Sequence, residues 1–561
     1  MAPSTLKTPK NLLFLKFLAP HHFPKPEKGA SAALDSIGDA SNSMLRDFSS
    51  LGAHGVHGCN VLRDFQRAMK KWTHMPELYQ ATVPMWDKHT NKPVSGNLWF
   101  LLPHELLPLL VKDNLHAWTV FDDSIRELRH VVEQWRHINI PGDDTNDLVA
   151  MSLWGDGAPF NKRDSLNLFL WSALTGDNQN RFWITACTKS STCACGCYGR
   201  HTFDAIWEVV AWSFRSLLSG TYPGKRHDDT DFGSLHGDRK RSKKSGKKLG
   251  VRGCCVQARG DWSWHKQNAD LQDWVQSIHT DKPVCWICPA NCRGFPWWDA
   301  SLHANWRRQP RTTHATFITN RLATNKYVSG MFSIPGFLLD YFGIDFMHCG
   351  DLGVTQYFLG AVFFTLFLEL GGMITKWQET CGKLLTLIKM FARHLGMDSP
   401  INHLTLTMFR SSKGKCRFKG KASECRYLVP IVLAILKVAF PAETAAAKLR
   451  LECAEQLAAL YRAVMDWDAT TTRRAAEASR KFVIKYCELH DLGAGIWHMT
   501  PKFHLLIHCI ERLNTEGSLK RSWCYADEQA IGKAVRIAPK GHVSTVHRTL
   551  MEKYRDWGIL S

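Results

Sequence analysis

Apolar positions along the chain change their period at about residue 145 and again at about residue 350. Between 61 and 140 they recur at helical spacing, as in Leu106, Leu107 and Leu110 and in Ile125, Leu128, Val131, Val132 and Trp135. That spacing predicts a small helical domain over 61–144. From 145 onward, short apolar runs take over. Leu148–Trp154, closed by Gly155-Asp156-Gly157, Leu166–Leu174 and Arg181–Thr188 read as three strands close enough together for a meander. Phe203, Ile206, Trp207, Val210, Phe214, Leu217 and Leu218 predict one amphipathic helix, and Val251–Ala258 predicts a fourth strand running into Gly260-Asp261. A strand–helix–strand crossover sets this fourth strand parallel to its partner. Beyond 350 the pattern is helical, over Val354–Leu370, Lys376–Leu395, Tyr427–Phe440, Glu443–Met465, Arg473–His490 and Trp523–Ala538. Residues 1–60, rich in Pro, Ser, Gly and His, read as a flexible tail.

Three strands, a helix and a strand is the order of ribonuclease-H-like folds, in which the first and fourth strands are neighbours. The order brings Asp156 and Asp261, each just beyond its strand, close together. Paired carboxylates there are costly unless a cation sits between them, and a hard divalent ion is the usual solution.

Composition narrows the class. The chain has 561 residues, 45% hydrophobic and 22% charged, as expected of a packed globular protein. The longest apolar stretches are Phe358–Ile374, which carries Glu369, and Leu428–Ala442, which carries Lys437. Both read as buried helices, so no membrane partner is expected. The apolar run Asn11–Leu18 is broken by Lys16 and lacks a small-residue cleavage site. Without export, the 18 cysteines are expected to be reduced, as metal ligands or core residues. Cys285-Trp286-Ile287-Cys288 has zinc-ligand spacing, with Cys292 and His303 nearby. Asp345-Phe346-Met347-His348 offers further donors, which makes Cys285, Cys288 and His348 the candidate zinc ligands. Cys193, Cys195 and Cys197 alternate in a loop with no role assigned.

The formal charge of +20 is concentrated. Arg239–Lys248 holds seven basic residues and no acid, and Arg410–Arg426 holds seven against Glu424. Such runs point to a polyanion, most often nucleic acid. The candidate contacts are Arg239, Lys240, Arg241, Lys243 and Lys244 in the first run. In the second they are Lys413, Lys415, Arg417, Lys419, Lys421 and Arg426. The series from Lys413 to Lys421 recurs at every second position, so in an extended segment it would share one face.

Taken together, these motifs resemble the transposases of CACTA-type (En/Spm-like) DNA transposons. Asp156-Gly157-Ala158-Pro159-Phe160 resembles the family's first-strand turn with one residue fewer, and Asp261 stands where its second aspartate does. Cys285 and Cys288 match a following CxxC, and Ile344-Asp345-Phe346-Met347-His348 matches an Ile-Asp-x-Met-His. Lys421-Ala422-Ser423-Glu424-Cys425-Arg426 and the segment Pro501–His508 match two later motifs. Glu528-Gln529-Ala530-Ile531-Gly532 resembles a closing Glu-Arg-x-x-Gly, with Gln529 in place of Arg. The register of that motif selects Glu528 over Asp527 as the third carboxylate.

The resemblance implies a five-stranded ribonuclease-H-like α/β core interrupted by a helical insertion. Its parts would be 145–280 (first part of the core), 281–350 (zinc segment), 351–500 (insertion) and 501–561 (the remainder of the core). It also implies that Asp156, Asp261 and Glu528 hold two magnesium (or manganese) ions for phosphodiester hydrolysis and strand transfer. The implied partners are double-stranded transposon-end and target DNA, bound by a homo-oligomer in the nucleus. A rival reading is a domesticated or decayed transposase that binds DNA or chromatin without cutting it. A third is a zinc-dependent structural protein.

Overall fold

The apolar runs after residue 145 become β3 (Leu148–Pro159), β4 (Ser165–Ala173), β5 (Phe182–Thr188) and β6 (Arg252–Arg259). They form one sheet in the order β5-β4-β3-β6, with β3 antiparallel to β4 and parallel to β6. The computed structural model describes residues 75–558, apart from 122, 124, 144–145, 177–179, 273, 469 and 543–544. The expected tail over 1–60 lies outside the described residues.

β4, β5 and β6 are buried almost throughout, and β3 is buried until Gly155, so the sheet is covered on both faces. On one face Phe169 of β4 packs against Phe203 and Trp207 of helix α3 (Arg200–Ser219). Ser172, an odd number of residues away and so on the other face, shares Arg259 of β6 with Asp527, which lies on helix α12 (Tyr525–Ile537).

The five-stranded expectation is corrected: among the described residues this sheet has four strands. Where a fifth strand would flank β6, the chain makes only a single bridge, Ala258 with Phe342, and Gly343 N–H donates to Ala258 O. The turn Leu339–Tyr341 precedes that bridge and a π-helical segment, Met347–Val354, follows it, so the chain is extended there too briefly to make a ladder.

The N-terminal region also differs from the helical reading. Helices α1 (Pro103–Val111) and α2 (Leu128–Asn139) are present, but β1 (Tyr79–Asp87) and β2 (Lys92–Phe100) form an antiparallel hairpin ahead of them. Leu101 N–H donates to Ile184 O, which ties the end of the hairpin to β5.

In the chain between the sheet and the C-terminal helices lie α6 (Thr355–Glu369), α7 (Trp377–His394), α8 (Ala422–Val438), α9 (Ala445–Met465) and α10 (Thr472–Gly493). Helix α11 (Lys502–Glu511) returns the chain to α12. Met347–Glu369 is long and apolar enough to cross a membrane, yet 83% of its most apolar window is buried inside the protein. A polar knot ties α8, α9 and α12 together. The carboxylate of Asp351, wholly buried on the π-helical segment, accepts from Arg426 of α8 (2.6 Å), Tyr461 of α9 (2.6 Å) and Tyr525 of α12 (2.7 Å).

Candidate active site and zinc centre

In the parallel β3–β6 ladder Trp154 stands opposite Arg259, and two further residues along each chain are Asp156 and Asp261. Local structure fixes both acids. Asp156 accepts from Gly157 N–H (2.6 Å), and Asp261 caps helix α5 (Trp262–Ala269) by accepting from Trp264 N–H (2.7 Å). Gly155 is required between them, because a Cβ there would lie 2.0 Å from the Trp264 indole nitrogen.

The third acid comes from α12. Its first turn presents two carboxylates in different surroundings. Asp527 is fully buried and holds Arg181 (2.6 Å) and Arg259 (3.0 Å). Glu528 faces His348, with Oε1 3.9 Å from Nε2, and Oε1 has no hydrogen-bond partner among the described residues. Asp345 aligns this side. It accepts from His348 Nδ1 (2.6 Å), and its other oxygen accepts from the N–H of Cys524 (3.0 Å), the residue that precedes α12. Lys502 of α11 donates to His348 O (2.9 Å). Asp261, Asp345, His348, Lys266 and Lys502 line a cavity of about 350 Å³.

Charge in this site is unbalanced. Burial, then Asp261 and Glu528, push the Asp156 carboxyl up to about 7, and burial likewise raises Glu528. Burial alone would lower His348, but Asp345, with Asp261 and Glu528 beyond it, pushes it up to about 9. His348 Nε2 lies 3.9 Å from Glu528, and a hydrogen bond between the Asp156 and Glu528 carboxyl groups offsets part of the repulsion among the acids.

The zinc ligands are a correction. His348 stands with Asp345 and Cys524 beside Glu528, away from Cys285 and Cys288. The two cysteines instead meet His504 and His508 of α11, and all four donor atoms lie within 4.8 Å of one another. Cys288 Sγ is 3.4 Å from Cys285 Sγ, 3.3 Å from His504 Nε2 and 3.4 Å from His508 Nε2. A buried Cys2His2 set of this size could hold a metal such as zinc. Burial raises the Cys285 thiol, but its hydrogen-bonding neighbours bring it well below the usual range, while the hydrogen bond with Cys285, then burial and the Cys285 charge, drive Cys288 upward. Outside the donors, Glu511 accepts from His508 Nδ1 (3.1 Å) and is held by Arg307 (2.6 Å), an outer shell of the kind that orients metal-bound imidazoles. The spacing of His504 and His508, one helical turn apart on an apolar helix, was the signal in the sequence for these ligands.

No known protein-family model matches this chain, and no curated protein does either.

The basic residues divide. Arg241, buried in helix α4 (His236–Ser242), forms a two-point pair with Glu105 (2.9 Å for both contacts), and Arg426 is committed to Asp351. Neither is free for a phosphate, which removes both from the candidate DNA contacts. Lys240 pairs with Glu77 (3.2 Å), and Arg239 donates to Ser234 O. Lys243 is exposed, and Lys244 stands over the Tyr222 ring. In the second run Lys415, Arg417, Lys419 and Lys421 are exposed while Cys416, Phe418 and Gly420 between them are buried, so the basic residues share one face. Lys413 is exposed on the turn that leads into this segment. Arg417 is steadied by Gln356 (2.7 and 2.8 Å) and reaches Leu352 O (3.4 Å), which also accepts from Lys502. The basic face therefore adjoins the cavity.

Proposed function

We propose that this chain is a transposase-like protein of the CACTA type that hydrolyses phosphodiesters at transposon ends and joins the freed strand to target DNA. The reading is carried by one observation: Asp156 and Asp261, distant in sequence, stand two residues past the paired Trp154 and Arg259 at the ends of neighbouring parallel strands, and Glu528 is close enough to raise the Asp156 carboxyl with Asp261. The residues fit magnesium or manganese. They are hard oxygen donors, and the buried Oε1 of Glu528 has no hydrogen-bond partner among the described residues. Bound there, the metal would supply Lewis acidity for in-line displacement at phosphorus.

The chain's own residues would do the rest. Asp156 must give up its proton to act as a ligand. Asp345 keeps His348 charged and holds it toward Glu528, which orients this acid and offsets part of the burial that raises it. The exposed face from Lys415 to Lys421 would contact DNA phosphates, which fixes register without reading sequence. Nuclear location and a homo-oligomer on paired ends belong to the same reading.

The test is magnesium-dependent nicking of DNA by the purified full chain, beside Asp156→Ala, Asp261→Ala and Glu528→Gln. The expected result is nicking by the wild type and background levels in all three variants. Equal activity in all four would sink the catalytic assignment. Tight DNA binding with no nicking in any of them would establish the non-cutting alternative.

A further inference from the structure

A second cluster of metal-ligating side chains lies apart from both sites, in the loop that joins β5 to α3. Cys193 Sγ is 3.4 Å from Cys195 Sγ, and each of these sulfurs is 3.5 Å from Nδ1 of His201, in the first turn of α3. Cys197 completes the set, with all four donor atoms within 4.8 Å of one another. Tetrahedral zinc with ordinary bond lengths would put sulfur–sulfur pairs about 3.8 Å apart and sulfur–nitrogen pairs about 3.5 Å apart. We propose that Cys193, Cys195, Cys197 and His201 form a Cys3His zinc site, independent of the one at Cys285.

The loop is shaped to close on an ion. Gly196 and Gly199 take positive φ (97° and 85°), and so does Tyr198 (55°), a bulky residue for which that conformation is unfavourable without support. The reversals let Gly199 N–H donate to Cys193 O and Arg200 N–H to Cys197 O (3.1 Å each), which turns the three thiols back toward the helix. Chain reversal alone does not require three cysteines and a histidine to converge.

The site would act as a staple. Thr202 Oγ1 accepts from Cys193 N–H (2.9 Å) and donates to Pro84 O (2.5 Å), while Thr192 bridges Met85, so cluster, helix and β1 share one set of contacts. β3 and β5 are both antiparallel to β4 and hence run the same way. The loop therefore leaves the sheet at the end where Asp156 and Asp261 lie. Zinc here would fix the N-terminal hairpin, and the 83% exposed Tyr198, at that end of the molecule.

Metal analysis of the full chain, purified without added metal, tests this. The wild type should carry two zinc ions per chain. Cys195→Ser and His201→Gln should each carry one, as should Cys288→Ser, and Cys195→Ser with Cys288→Ser should carry none. A wild-type stoichiometry of one that Cys288→Ser abolishes and Cys195→Ser leaves intact would overturn the proposal without touching the other site. A disulfide among Cys193, Cys195 and Cys197 in the freshly isolated protein would overturn it too. If the variants fail to fold, cobalt titration of chelator-stripped wild type decides the matter. Two saturable thiolate–cobalt phases support the second site, and a single phase excludes it.

Discussion

Asp527 and Glu528 are neighbours in the first turn of α12, where acids are favoured by the helix dipole, yet the helix turns them to different surroundings. Removing the charge of Asp527 strands Arg259, itself buried, beside Arg181. Asp527→Asn should therefore destabilise the fold by about 3–5 kcal/mol, the usual scale for breaking a buried pair. Glu528→Gln should leave urea-induced unfolding little changed while it abolishes nicking. If the two variants exchange these phenotypes, the register assigned to the motif is wrong. Asp156 carries a pH signature as well. Its carboxyl is raised when folded, so its contribution to stability is full below the unfolded value of 3.8 and is lost as pH rises through about 7. In chelator at pH 8, Asp156→Asn should be more stable than wild type by on the order of 3 kcal/mol, a gap that narrows as pH falls toward 4. Magnesium should stabilise the wild type and not the variant. Unfolding curves across pH, with and without magnesium, test both statements.

The elements show how far local pattern reaches. The four strands and the insertion helices were legible because each is a continuous run of one period, buried along its length or along one face. The hairpin was not. In β1, Tyr79, Ala81, Val83 and Met85 alternate inward, but Pro84 interrupts the strand signal and the helical spacing that follows dominates the window. A fifth strand was expected from the family resemblance alone, and the chain instead turns into the π-helical segment after one bridge. Asp156 and Asp261 could be named from strand order and Glu528 from motif register, whereas the zinc partners of Cys285 and Cys288 are over 200 residues away and only the fold pairs them. That pairing has a consequence for α11. The helix bears His504 and His508 and begins with Lys502, which holds the backbone beside His348. His504→Gln or His508→Gln should lose one zinc per chain and lower nicking although no carboxylate is touched. Metal content and nicking rate measured on the same preparation test this. Zinc retained in both variants would return Cys285 and Cys288 to the core.

At the scale of the whole molecule, the 71 Lys and Arg residues overstate the surface available to DNA. Some of them are internal: Arg241 answers Glu105, Arg426 answers Asp351, and Arg259 answers Asp527. What remains beside the cavity is the alternating face of Lys415, Arg417, Lys419 and Lys421, exposed because Cys416 and Phe418 anchor the same segment from below. Cations at fixed spacing on one face act by displacing counterions from phosphates, so their effect appears in the salt dependence of binding rather than in sequence preference. Lys415→Ala, Lys419→Ala and Lys421→Ala together should reduce the slope of log affinity against log salt by about 3, since each lost phosphate contact removes about 0.9. The affinity should fall equally on unrelated duplexes. Arg241→Ala should behave differently, with lost thermal stability and little change in slope for the protein that stays folded. A triple lysine variant with an unchanged slope would mean that DNA, if bound, approaches from another side of the sheet.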